Sequence, residues 1–452
     1  MKIIIAGAGR VGGSIAEALC AEGHDVTVID RDAQTIAHMS NDIDAICIEG
    51  SATDPDALTE AGAKDADMLL AVTEQDEVNM VCAISARSLG TRNIVARVRD
   101  PQYLGKEHFL SDTLGISMII NPEYEFAREI ARIIRLPGAA RVDTFSKGSV
   151  EIAEHRVSSQ SVLEGVALKD LRRKFGAKVL VSLAEREGEA IIPNGEFVIS
   201  DGDSLSITGT PEELRRFFSA IGAYSKPVKT AMLIGGGRIS VYLTRLLIES
   251  GISVTVVEND PARCEMLTDL IPQAGIVNGD ATKSEVLLEE GIKEADAFAA
   301  LTEDDGDNII TSIYAGHCGV EKVVTRVNHE HFAEVVDSSG LDCVLTPKDI
   351  VVDRITRYVR AVSDSGENEV ETLYRIAGGR AEALELEARE GDRCIGVPLR
   401  ELKLNKNVLI ANIVRGRKSI IPEGSTVIEA GDRLVVVSTA GSIRSAANLL
   451  ED

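Results

Sequence analysis

The sequence predicts an α/β chain: two tandem, doubly wound parallel-sheet domains, each followed by a small strand-rich α+β domain. Three observations predict it. The chain opens on a strand and a glycine turn, KIIIAGAGRVGG. Strand and helix patterns then alternate, as they do in a parallel sheet covered by helices on both faces. Finally, the whole arrangement restarts near the middle of the chain, at AMLIGGGRIS.

Ile3, Ile4 and Ile5 form a short β-branched run suited to a buried parallel strand. Gly7, Gly9 and Gly12 follow as G-x-G-x-x-G. The first glycine permits the tight turn and the second lets backbone approach a pyrophosphate. The third lets the next helix pack closely. Ser14 to Leu19 begin that helix, whose N-terminal N–H groups favour phosphate. A glycine pattern alone is weak, because a βαβ unit can keep the turn and bind nothing. Here the strand DVTVID ends in Asp30, 18 residues beyond Gly12, where a carboxylate suits ribose hydroxyls. The strands DAICIEG, DMLLAVT and NIVARV follow. Gly7 to Gly12, Asp30, Ser51, Thr73 and Arg97 each follow or close a strand, so this Rossmann-like reading brings them to one sheet edge.

Each parallel-sheet domain passes into a helix that starts at a proline: NPEYEFAREIARIIRL, then TPKDIVVDRITRYVRA in the second half. Phe126, Ile130, Ile133 and Ile134 recur at helical spacing. Such a helix packs on its own domain or serves as a dimerising element. The small domain of the first half reads as strands KVLVSLAE, EFVIS and DSLSITG, punctuated by Pro, Gly and Asp turns.

The second half repeats the first. Gly7 and Gly9 align with Gly235 and Gly237 at a shift of 228, as does Asp30 with Glu258. After one inserted residue the shift is 229, which pairs Ser51 with Asp280, Thr73 with Thr302, Glu74 with Glu303, Asn79 with Asn308 and Arg97 with Arg326. The small domains also align, Pro193 on Pro422 and Asp203 on Asp432. The expected divisions are residues 1–122, 140–223, 229–346 and 367–452. The third glycine of the second copy is Ser240, whose bulk at the helix–strand contact should leave the second site looser, altered or empty.

Hydrophobic residues make up 44% and charged residues 27%, ordinary for a globular chain. No apolar run reaches the ~18 residues that a membrane span needs. The first residues read as a strand rather than a leader, so a cytoplasmic location is expected. A formal charge of −24 disfavours nucleic acid. The seven cysteines form no C-x-x-C pair and read as small core residues. His329 and His331 lie two apart with no further ligand cluster near them, so no metal site is expected. No Lys–His, Tyr–Lys or His–Asp arrangement, G-x-S-x-G elbow, H-E-x-x-H helix or Walker A loop stands out. Two nucleotide sites without evident chemistry suggest a sensor, in which a ligand shifts the domain arrangement.

MKIIIAGAGRVGG, TEAGAKDADMLLAVTEQDEVNM, ARVRDPQY and IIPNG with its DGD turn resemble the TrkA family over essentially the whole chain. That family comprises cytoplasmic regulatory subunits of Trk-type potassium uptake, built of tandem RCK (or KTN) domains, each with an RCK C-terminal domain. The resemblance implies binding of NAD or NADH, with ATP or ADP as further candidates. It places the first site at Gly7, Ala8, Gly9, Arg10 and Val11, with Asp30, Thr73, Glu74 and Arg97. Through the repeat, the second falls at Gly235, Gly236, Gly237, Arg238 and Ile239, with Glu258, Asp280, Thr302, Glu303 and Arg326. Arg10 and Arg238 lie inside the loops, where each meets phosphate or remains solvated. The resemblance also implies a tetrameric ring peripheral to the membrane, acting on a potassium-channel subunit of the TrkH/TrkG type without catalysing a reaction. The alternatives are an NAD-dependent dehydrogenase with a duplicated fold, or a nucleotide-binding scaffold for another transporter.

Overall fold

A computed structural model describes residues 1–100, 103, 106–136, 138–139, 141–223, 227–329, 341, 343–363, 370–439, 443 and 445–450. The first sheet comprises β1 (Lys2–Ala6), β2 (Asp25–Asp30), β3 (Ile46–Glu49), β4 (Met68–Ala71), β5 (Asn93–Arg97) and β6 (Met118–Ile120). All neighbours are parallel, in the order β3-β2-β1-β4-β5-β6. Its helices are α1 (Arg10–Ala21), α2 (Ala33–Asp42), α3 (Pro55–Glu60), α4 (Asp76–Leu89) and α5 (Glu107–Leu114). The strand order reverses between β1 and β4, which opens a crevice at the carboxyl ends of the strands. Ile3, Ile5, Val28 and Leu70 fill one face of this sheet, and Ile4, Ile29, Leu69 and Ile94 the other.

The connecting helix α6 spans Pro122–Arg135. The Asn121 side chain accepts from the Tyr124 N–H at 2.9 Å, Pro122 opens the helix, and glutamates precede arginines along it. Each of these features favours a helix start at that point. The first small domain follows as β7 (Arg141–Phe145), β8 (Val150–Arg156), β9 (Leu180–Arg186), β10 (Glu189–Ile191) and β11 (Ser204–Gly209), with α7 (Leu171–Phe175) and α8 (Pro211–Ala220). The sheet is antiparallel, ordered β10-β9-β11-β8-β7. KVLVSLAE and DSLSITG form β9 and β11 as expected, but EFVIS makes only an isolated bridge from Val198 to Ala167. The carboxylate of Asp203 explains this: it accepts from the Ser200 N–H at 2.8 Å and curls that segment into a turn.

The second unit repeats the plan. Its parallel sheet runs β14-β13-β12-β15-β16-β17, from β12 (Thr230–Ile234), β13 (Ser253–Glu258), β14 (Gly275–Asn278), β15 (Ala297–Ala300), β16 (Lys322–Arg326) and β17 (Val344–Leu345). The helices are α9 (Arg238–Glu249), α10 (Pro261–Leu270), α11 (Ser284–Glu289), α12 (Asp305–His317) and the connecting helix α13 (Pro347–Ser363). The last sheet runs β18-β19-β22-β20-β21, from β18 (Val370–Ile376), β19 (Ala381–Glu387), β20 (Val408–Arg415), β21 (Lys418–Ile420) and β22 (Arg433–Ser438).

The two units are interlocked. Phe126, Ile130, Ile133 and Ile134 of α6 are buried in the core of the second parallel-sheet domain, among Leu233, Tyr242 and Leu247. Val351, Ile355 and Val359 of α13 are buried reciprocally against Ile3, Ile15 and Val28. Each such side chain contributes about 1.5–3 kcal/mol by leaving water. The small domains also share a core, in which Phe145, Ile152 and Leu183 meet Ala383, Val435 and Val437. Thus α6 and α13 do not pack on their own domains alone. They make the chain an internal dimer.

Candidate functional site: a cleft between two glycine loops

The interlock turns the carboxyl ends of the two parallel sheets toward one cleft of about 880 Å³. Gly7, Gly9, Arg10, Val11, Asp30, Ser51, Thr73, Glu74 and Arg97 line it from the first unit. The second unit contributes Gly237, Arg238, Ile239, Glu303 and Arg326. Ala8 is buried beneath the first loop. Gly235, Gly236, Glu258, Asp280 and Thr302 do not line the cleft. The cleft therefore gathers the candidate residues unevenly, nearly all from one site and only part of the other.

In the first loop, Gly7 has φ +110°, and a Cβ on Gly12 would lie 1.8 Å from the Gly7 carbonyl oxygen. Only glycine fits that approach of α1 to the turn. The Asp30 carboxylate accepts from the Ala8 N–H at 2.6 Å and the Asp32 N–H at 3.0 Å. A carboxylate has about four acceptor positions, so further donors can still bind. Asn79, fully buried on α4, accepts from Thr73 N–H and Oγ1 at 2.8 and 2.7 Å and donates to the carbonyls of Thr73 and Arg97. It fixes the ends of β4 and β5 relative to each other. Asn308 repeats these bonds to Thr302 and Arg326. The repeat alignment pairs these asparagines without revealing their role, which is to position both strand ends.

The second loop is built differently. Ser240 is fully buried and its Oγ donates to the Gly235 carbonyl, so the loop is tied rather than loosened. Glu258 reaches one methylene further than Asp30 and accepts from the Gly236 N–H at 2.6 Å. A Cβ on Gly236 would fall 2.9 Å from that carboxylate and 2.5 Å from Leu267 Cδ1, so glycine there makes room for the longer acid. Asp280 is turned onto its own loop, accepting from Thr282 Oγ1 at 2.6 Å. Those hydrogen bonds hold its carboxyl below the ordinary value.

The largest contrast lies at the ends of β5 and β16. None of the described residues accepts a hydrogen bond from the Arg97 guanidinium, and its buried Nε has no partner. Burial and the neighbouring Arg99 guanidinium push Arg97 below its ordinary pKa. Arg99 donates to the Glu74 carbonyl and lies 3.7 Å from both Asp76 and Glu123. Asp76 Oδ1, Arg99 Nε and Glu123 Oε2 are buried and make no hydrogen bond either, although the first two face each other as an ion pair. Unsatisfied buried polar groups at such density mark a place where a polar ligand or water completes the bonding. The site therefore fits a ligand carrying both anionic groups and hydroxyls, as a dinucleotide or nucleoside diphosphate does. His329, by contrast, is engaged by Asp305 at 2.7 Å, and His331 lies outside the described residues.

Comparison with known proteins gives the same architecture. The TrkA-N domain model matches residues 3–122 and 231–347, and the TrkA-C domain model matches 152–222 and 383–451. The chain is 34% identical over 437 residues to the Trk system potassium uptake protein TrkA homolog of Archaeoglobus fulgidus, covering 96% of this chain and 97% of that protein. It is 32% identical to the Trk system potassium uptake protein TrkA of Vibrio alginolyticus, covering 96% and 95%. Among solved structures, the GsuK RCK domain superimposes with a TM-score of 0.62 at 19% identity, over 97% of this chain and 92% of that one. The GsuK channel bound to NAD gives a TM-score of 0.63 at 19% identity, over 97% and 77%.

Proposed function

The chain belongs to the TrkA family, and from that premise we propose that it is the nucleotide-binding regulatory subunit of a potassium uptake system. The observation that carries this reading is the shared cleft. Both glycine loops open into it, and unpartnered charged groups of the first unit face it. A ligand held there touches two units at once, so it can favour one arrangement of them over another.

The proposed ligand is NAD or NADH, with ADP or ATP as further candidates, since GsuK has been solved bound to NAD and to ADP. Asp30 would receive ribose hydroxyls at the end of β2. Gly7 to Val11 and Arg97 would hold phosphate or amide groups. A 2′-phosphate would meet the Asp30 charge, so NADP(H) should bind less tightly than NAD(H).

None of the described helices is long and apolar enough to cross a membrane, so the reading requires a membrane partner, a channel subunit of the TrkH/TrkG type. Exposed apolar pairs recur at equivalent positions of the two units, Val81 and Ile84 on α4 and Ile310 and Ile313 on α12. They support end-to-end association into a closed ring of four chains on the cytoplasmic face. The test is potassium flux through the channel partner in vesicles, with and without this protein, as NADH, NAD, ADP and ATP are titrated. Flux indifferent to saturating nucleotide overturns the gating reading.

A further inference from the structure

We propose that the chain carries one open nucleotide site, the first, and that the second is closed by its own carboxylate, Glu303, which stands on Arg326 where a ligand's anion would otherwise sit. This rests on the nucleotide reading of the cleft.

The two sites have the same residue types at their centres. Arg97 corresponds to Arg326, Glu74 to Glu303, and Asp76 to Asp305. Asp76 and Asp305 accept equivalent backbone N–H bonds, but the two arginines are bonded oppositely. A guanidinium has five N–H donors. Those of Arg326 are all engaged: Nε with Asn328 Oδ1 at 3.3 Å, Nη1 with the Leu301 carbonyl at 3.3 Å and Glu303 at 3.1 Å, and Nη2 with Glu303 at 2.9 Å and Asn328 at 3.1 Å. Asp305 is equally saturated, accepting from Asn328 and from His329 through both backbone and side chain. The buried atoms near the cleft that make no hydrogen bond belong to Asp76, Arg97, Arg99 and Glu123, all on the first side, and none to their second-unit counterparts among the described residues.

One substitution bears directly on the difference. Two residues past the buried arginine, the first unit has Arg99 and the second has Asn328. Arg99 is a second cation that repels Arg97 and takes the Glu74 carbonyl. Asn328 is neutral and offers its oxygen to Arg326, which can then accept Glu303 as its remaining partner. On the first side Asp76 and Glu123 lie 3.7 Å from Arg99, and Arg97 makes no hydrogen bond to either. On the second side the Arg326 guanidinium is held by Glu303 and Asn328. The closure is displaceable, because the Glu303 side chain is 85% exposed while that of Arg326 is 10% exposed. The Arg326 half of the pair is buried, so displacing Glu303 is costly unless the incoming group supplies an anion in its place. A ligand would still exchange one anion for another at Arg326, and would enter past a loop tied by Ser240.

The experiment counts NADH and ADP bound per full-length chain by equilibrium dialysis, in the wild type, Arg97→Gln and Glu303→Gln. The expected wild-type count is one. Arg97→Gln should weaken binding about tenfold or more, since it removes a charge-assisted phosphate partner. Glu303→Gln should add a second, weaker equivalent by freeing Arg326. Two equivalents in the wild type, or a Glu303→Gln variant that binds as the wild type does, overturns the proposal and leaves the nucleotide reading standing. Binding of neither nucleotide overturns both. The wild-type count stands even if a variant fails to fold.

Discussion

Single residues connect chemistry in one unit to geometry in the other. Tyr242 on α9 donates to the Arg99 carbonyl at 2.8 Å and accepts from Asn121 at 2.9 Å, and burial pushes its hydroxyl up to about 12. It therefore stays a neutral donor at any ordinary pH. Its counterpart in the first unit is Ser14, so this link runs one way only. Tyr242→Phe should cost about 0.5–1.5 kcal/mol of stability. It should also weaken NADH binding at a site in the other unit, which titration of the variant checks. Unchanged affinity would mean that the Arg99 turn needs no such support. A second residue sets acid sensitivity. Burial pushes the Asp203 carboxyl up, but the Arg186 fork at 2.7 Å and the Ser200 N–H outweigh burial and hold it below the ordinary value. The unfolded state then binds more protons at low pH, so this stabilisation is present above about pH 4 and is lost as pH falls through the depressed value. Asp203→Asn should cost about 1.5–3 kcal/mol near neutrality and flatten the acid limb. Urea midpoints measured against pH for both proteins decide it. At this scale the sequence announced residue types but not bonding states. Arg97 and Arg326 are the same letter in the same register, and only ARVRD against TRVNH hints that one is unpaired and the other satisfied.

Elements were legible where periodicity and turn chemistry agree. β1, β2 and β4 are apolar runs bounded by glycine or charge, and α6 has a capping Asn, a leading Pro and an apolar stripe. RVDTF and VEIAEHR, which form β7 and β8, show no plain strand pattern in the sequence, because they interleave charges that are buried or paired only in the assembled molecule. EFVIS read as a strand because apolar alternation says nothing of the Asp203 carboxylate that folds it. Nor could periodicity say which domain α6 covers, since its stripe would suit either. The structure makes that choice testable. Ile130 is fully buried in the core of the second parallel-sheet domain. Ile130→Ala should cost about 2–5 kcal/mol. Amide exchange should rise in β12, β13 and α9, more than 90 residues away in sequence, while β1 and β2 change less. Loosening confined to the first unit would contradict the interlock.

At the scale of the molecule, duplication has let the two halves diverge into unlike partners. Each half lends its connecting helix to the other's core, so neither parallel-sheet domain has a complete apolar layer alone. A half could in principle pair with its own copy, since each carries both a helix to give and a surface to receive one. Two sets of contacts argue against that. Tyr242 binds Arg99 and Asn121 only across unlike units. Glu22, at the end of α1, accepts from Arg360 at 2.8 and 3.0 Å and from Arg375 at 3.0 Å, whereas its counterpart Ser250 has no carboxylate to offer Arg135. The Glu22 bonds, between charged groups, contribute about 1.5–3 kcal/mol each and the neutral Tyr242 bonds about 0.5–1.5 kcal/mol each, and a mismatched pair of halves forfeits both sets. Chains comprising residues 1–226 and 227–452 should therefore co-purify in equal amounts when produced together, and their complex should unfold at a higher temperature than either half alone. Produced separately, each should aggregate or form a weaker self-dimer, because the exposed apolar stripe of its connecting helix remains uncovered. Light scattering and calorimetry of the three samples distinguish these outcomes. Two halves that are monomeric, and as stable apart as together, would show that the shared cores add nothing to folding. They would also remove the rigid coupling through which a ligand in the cleft moves both units.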